Sequence, residues 1–160
     1  MILVAAFALL AAPVPTTLSR ADVDAAFRAA GFRWRERRWR SDCIDLGNPS
    51  YAPGRIARVA DLNGDGRPEA VIIEGSAACF GVTGTRFALV GKQADGRWRR
   101  IVRLVGIPRF LSRRGRSGWL DIELGGPGLC APVYRRDGRE YRLHHFDRVD
   151  GPQCPQRDPK

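Results

Sequence analysis

Apolar and polar positions along the chain change period once, and the change divides a helix from a β region. Ala21, Val23, Ala26, Phe27 and Ala30 fall on one side of a helical period. Ser19 stands before them as an N-cap, Asp22 and Asp24 suit the positive end, and Gly31 supplies the stop. The pattern predicts a short N-terminal helix. After Gly31, Phe32 and Trp34 alternate with Arg33 and Arg35, which reads as a half-buried strand. Ser41–Gly54, with Pro49, Pro53, Gly47 and Asn48, reads as a loop. From Arg55 to Phe146 short β runs follow one another: IARVADL, AVIIEG, FALVGK, WRRIVRLV, WLDIEL, APVYRR and REYRLHHF. Asp95-Gly96 and Asp137-Gly138 each sit between two such runs, a hairpin signal. The fold class is therefore mostly β (α+β): a short helix, then an antiparallel domain of about seven to eight short strands.

The two ends of the chain break this pattern. Met1–Val14 is an apolar run followed by small residues and proline, as in a secretory signal, and it is too short to span a bilayer. No Lys or Arg precedes Arg20, so either the basic start of such a signal lies upstream of Met1 or the signal is weak. Residues 1–18 are read as a signal peptide, 19–146 as one β-rich domain and 147–160 as an irregular, proline-containing tail. Periplasmic or secreted localisation follows as the expectation, with no transmembrane segment in the mature chain.

The cysteines agree with export. Cys43, Cys79, Cys130 and Cys154 are even in number, and no pair has the C-x-x-C spacing of a zinc or redox site. Structural disulfides are expected, and three connectivities are open. A weak internal repeat suggests one of them. Ala70–Cys79 can be laid over Leu120–Cys130, and each segment leads into a strand, an Asp-Gly turn and another strand. If the two units pack side by side, Cys79 pairs with Cys130, leaving Cys43 with Cys154.

The most specific chemistry lies in Asp61–Glu69, DLNGDGRPE. Oxygen-bearing side chains stand at positions 1, 3, 5 and 9 (Asp61, Asn63, Asp65 and Glu69), Gly64 and Gly66 permit sharp turns, and the Arg67 carbonyl can fill position 7. Calcium takes several hard oxygen ligands in flexible geometry, so this spacing suits it. An EF-hand is excluded, because position 12 is Ile72 and strands rather than helices flank the loop. The other reading is an Asx-rich hairpin turn without an ion, its carboxylates answered by Arg58 and Arg67.

Arg58–Gly75 resembles an FG-GAP/VCBS-type repeat, in which strand–DxDxDG–strand loops bind calcium in β-propeller blades. The wider chain, through GIPRFL, GWLDIELGGPG and Cys130, is similar to a group of small exported bacterial proteins. The resemblance implies Ca2+ as cofactor, with Asp61, Asn63, Asp65 and Glu69 as side-chain ligands. Asn63 and Glu69 depart from the more usual Asp, and a single copy is too short for a propeller.

Charge adds a competing function. Lys and Arg number 27 against 17 acids, a formal charge of +10. Arg33, Arg35, Arg37 and Arg38 interleave with Trp34 and Trp39, a pattern able to grip phosphates or stack on rings. For an exported chain the accessible partners would be envelope polyanions or lipid phosphates rather than intracellular nucleic acid. Solvated arginine faces are the plainer reading. Catalysis has little support: Asp121 and Glu123 share a strand face, but no nucleophile–base pair or phosphate-cradling loop accompanies them. An exported calcium-binding β module with a structural or binding role in the cell envelope is the expected function. The alternative is a basic module for anionic polymers.

Overall fold

The predicted helix forms where its caps place it. In the computed structural model, which describes residues 17–44, 50–115, 117–126 and 130–148, α1 spans Arg20–Ala30. The Ser19 side chain accepts from the Asp22 amide at 3.1 Å. Gly31 ends the helix at φ +93°, and its amide donates to the Arg28 and Phe27 carbonyls. Ala26, Phe27 and Ala30 are buried.

A small hairpin follows, β1 (Arg33–Arg35) and β2 (Arg38–Arg40), with Trp34 opposite Trp39. Its two-residue turn holds Glu36 and Arg37 at φ +49° and +60°, the left-handed region that such turns demand. Eight further strands make two antiparallel meanders in chain order. The first comprises β3 (Ala52–Ala60), β4 (Glu69–Gly75), β5 (Thr85–Lys92) and β6 (Trp98–Val105). The second comprises β7 (Ile107–Arg114), β8 (Leu120–Gly125), β9 (Cys130–Arg136) and β10 (Tyr141–Arg148). The structure is mostly β with antiparallel pairing throughout, in line with the pattern in the sequence. Strand β10 runs two residues past the expected domain boundary at 146.

Alternation along β4 and β5 sorts side chains to two cores. Ala70, Ile72, Ala88 and Val90 face α1 and the hairpin, meeting Phe27, Phe32 and Trp39. Val71, Phe87 and Leu89 face the second meander, meeting Trp119, Ile122, Leu124 and Tyr141. The first sheet is thus the middle layer of three.

Cys79 does not pair with Cys130, nor Cys43 with Cys154: the disulfide joins Cys43 to Cys79, with Cα atoms 5.9 Å apart. The repeat misled because the two cysteines do not hold equivalent places. AVIIEG and LDIELG are indeed the second strands of the two meanders, β4 and β8. After β4, however, Ser76 caps a one-turn helix, α2 (Ala77–Phe80), which carries Cys79, whereas Cys130 opens strand β9. The partner segment is set by Glu74, whose carboxylate accepts from the Ser41 hydroxyl at 2.7 Å. Ser41 in turn accepts from the Cys43 amide, which brings Cys43 to the end of β4. Cys130 is also disulfide-bonded. Cys154, the signal segment through residue 16 and the tail beyond Arg148 lie outside the described residues.

Candidate metal centre

The β3–β4 connection is built on one carboxylate. Asp61 Oδ1 accepts backbone amides from Gly64 (2.6 Å), Asp65 (3.2 Å) and Asn63 (3.3 Å), and Oδ2 accepts from Gly66 (2.9 Å). Gly64 and Gly66 supply φ of +81° and +77°, which turn those amides inward. Burial pushes the Asp61 carboxyl up, but the four amides outweigh it and hold it below the usual carboxylate range.

The remaining predicted ligands stack above this base. Asn63 Oδ1 accepts from the Asp65 amide at 2.8 Å. Its Nδ2 donates to Asp65 Oδ2 at 2.9 Å and points at Glu69 Oε1 at 3.4 Å. Asp65 also receives the Arg67 amide (2.9 Å) and the Arg67 guanidinium (2.6 Å). Glu69, the first residue of β4, is 1% exposed and accepts only the Leu62 amide at a short distance, 2.7 Å. Burial pushes its carboxyl up to about 7, with Asp65 and Asp61 adding repulsion against the Leu62 bond. The structure therefore brings Asn63, Asp65 and Glu69 together over Asp61, whose own oxygens are turned to the backbone. Among the described residues no three His, Cys, Asp or Glu side chains are gathered closely enough to hold a metal ion. In the conformation seen, the amide of Asn63 occupies the point on which Asp65 and Glu69 converge.

Residues distant in sequence clasp the loop. Leu120 donates its amide to the Leu62 carbonyl at 3.2 Å. Arg114 Nη1 reaches that carbonyl at 3.3 Å and the Gly118 carbonyl at 2.6 Å. A side chain at Gly118 would lie 2.6 Å from the Asn63 carbonyl, so only glycine fits there. Reasoning along the sequence missed Arg114, Gly118 and Leu120, and no local pattern marks them. Arg58, expected beside the loop carboxylates, lies instead over the Phe110 ring.

The buried acids separate into two kinds. Glu74 pairs with Arg86 at 2.9 Å, Asp121 with Arg135 at 2.6 Å, and Glu123 with Arg109. Glu69 is the buried carboxylate without a cationic side chain among the described residues. Asp121 and Glu123 do share a face, but a guanidinium closes each of them, which removes a free acid–base pair. On the hairpin, Arg33 and Arg35 line a cleft of about 540 Å³ with Glu36, Arg40, Ser41 and Asp42. Trp34 is 59% exposed. Trp39 is buried and stacked on Phe27 with centroids 4.6 Å apart, so its ring is already covered. Arg37 sits at the strained turn and Arg38 opposite Arg35. No protein-family model, curated protein or solved structure matches the chain.

Proposed function

We propose that this chain is an exported β module stabilised by calcium, with a structural or binding role in the cell envelope. The observation that carries the reading is Glu69, a buried carboxyl beside two further acids with no cationic side chain among the described residues to answer it. A buried charge without a partner is costly, and each of the other buried acids has its arginine. A divalent cation is the natural counterpart for a hard-oxygen group of this kind. Asn63, Asp65 and Glu69 would hold it, with Asp61 and the Arg67 carbonyl completing the set. Binding there requires the Asn63 amide to give way. The cation would supply charge compensation and tie the end of β3 to the start of β4. The disulfides support an oxidising compartment.

A thermal melt in calcium and in excess chelator tests the proposal. With one amide among the ligands, an affinity on the order of 10⁻⁴–10⁻³ M is expected. At about 100 times the dissociation constant the linkage gain is roughly 2.7 kcal/mol, seen as a higher Tm. Glu69→Gln should erase the calcium response and leave a folded protein. Identical melts in chelator and in calcium at ~10⁻² M, well above that affinity range, overturn the reading, and the loop is then an Asx-rich turn.

A further inference from the structure

Five large apolar side chains are exposed among the described residues, and four of them stand at one end of the molecule: Ile44 (75%), Val82 (92%), Val105 (46%) and Ile107 (55%). Scattered apolar residues on a surface carry no meaning, but a grouped set does. The Cys43–Cys79 disulfide gathers this one. Ile44 follows Cys43, and Val82 lies in the 3-10 turn Gly81–Thr83 directly after α2. Thr83 and Val105 line one cleft, and Ile107 pairs with Gly125 on its wall. The Gly106 amide donates to the Thr85 carbonyl at 2.9 Å, which fixes the β6–β7 corner against the start of β5.

Arginines rim this end. Arg33 and Arg35 share their cleft with Cys43 and Ile44. Arg100 and Arg103 bring their guanidiniums to Gly31, on the wall of the same cleft, and Arg103 reaches Asp42 at 3.6 Å. Arg33, Arg35 and Arg100 have no ion-pair partner among the described residues. This surface is distinct from the Asp61–Glu69 loop and shares no residue with it.

We propose that this end docks on an anionic lipid surface. Ile44, Val82, Val105 and Ile107 enter the boundary between headgroups and acyl chains, while Arg33, Arg35 and Arg100 take lipid phosphates. The chemistry favours lipid over nucleic acid. Single strands are held by rings that stack on bases, whereas the exposed groups gathered at the Cys43–Cys79 end are aliphatic and the exposed Trp34 ring lies in a separate cleft with Arg28 and Arg33. Trp34 and Trp39 lie on the opposite face of the hairpin from Arg33 and Arg35, since neighbours in a strand alternate.

Co-sedimentation of the full chain with phosphatidylcholine vesicles, with and without phosphatidylglycerol, tests the proposal. Binding is expected only with the anionic lipid. R33Q/R35Q should lower affinity about 25-fold, roughly fivefold for each arginine. I44S/V82S should lower it by at least about tenfold, because two apolar side chains lose their partial burial. Both pairs lie at the surface, so melts should match the wild type. Absent binding overturns the proposal, as does binding unchanged in either variant. An effect of the arginines alone, competed by a single-stranded oligonucleotide, would assign the surface to polyanions in general.

Discussion

The two meanders share strand order and the Asp-Gly turn between their last two strands, yet they close their outer faces by different means. On the first sheet, α1 and the β1–β2 hairpin lie over Ala70, Ile72, Ala88 and Val90, an apolar seam joined to Phe27 and Trp39. On the second, the outward positions of β8 are Asp121 and Glu123, buried under the guanidiniums of Arg135 and Arg109. Bidentate guanidinium–carboxylate pairs satisfy the oxygens of each acid, which lets both carboxylates be buried on a face they share with Val133. The cost is dependence on single partners. An apolar seam spreads its energy over many contacts, whereas a buried pair fails when one member leaves.

Substitutions on each sheet break that comparison directly. Phe27→Ala opens the helix-covered seam and should cost about 4 kcal/mol in urea unfolding. Arg135→Ala strands Asp121, which is fully buried, and should cost about 3 kcal/mol, even though the arginine is itself one-third exposed. Replacing Asp121 and Arg135 together by apolar residues should recover most of that loss. If the double variant is as unstable as Arg135→Ala, the pair is not what closes the second sheet.

The acid without a cationic partner among the described residues yields a pH signature. The Glu69 carboxyl is raised from 4.5 to about 7 in the fold. The folded state therefore holds its proton where the unfolded chain has lost it. Stability without calcium should fall as pH rises from about 4.5 to 7, by roughly 3 kcal/mol from this group. Glu69→Gln should flatten this slope, and calcium should oppose it above pH 7. A slope unchanged in Glu69→Gln would place its origin elsewhere. The smallest effect belongs to the hairpin: Arg37→Gly relieves a left-handed backbone and should stabilise by about 1 kcal/mol or less.

Much of the architecture was legible because local signals agree with the fold. Ser19 and Gly31 bracket α1 as expected, and the runs containing β4 to β6 and β8 to β10 stand where their patterns put them, whereas β3 begins at Ala52, inside the stretch Ser41–Gly54 that reads as a loop. Strand β2, Arg38–Arg40, reads as charge, since only Trp39 is buried. Strand β7 was hidden for a similar reason. Ile107–Arg114 contains Pro108 and three arginines, a composition tolerated because β7 is an edge strand. The disulfide was misassigned because α2 interrupts the repeat, and one turn of helix leaves little trace in composition. At the loop, Asp61, Asn63, Asp65 and Glu69 announced themselves by spacing, but the arginine pairs across β7–β8 and β8–β9 depend on register. The solitude of Glu69 is a property of three dimensions alone.

The clasp on Leu62 has a consequence for timing. Its carbonyl accepts from Leu120 and Arg114, residues of the second meander. The first meander can pair its own strands and fold the loop amides around Asp61 as soon as it is made, but the bonds to the Leu62 carbonyl cannot form until β7 and β8 have arrived. Contacts this distant along the chain form late, because closing the intervening length must precede them. The clasp is therefore a late step of assembly: a protease that probes the Leu62 segment during folding should cut it more readily before the second meander docks than afterwards.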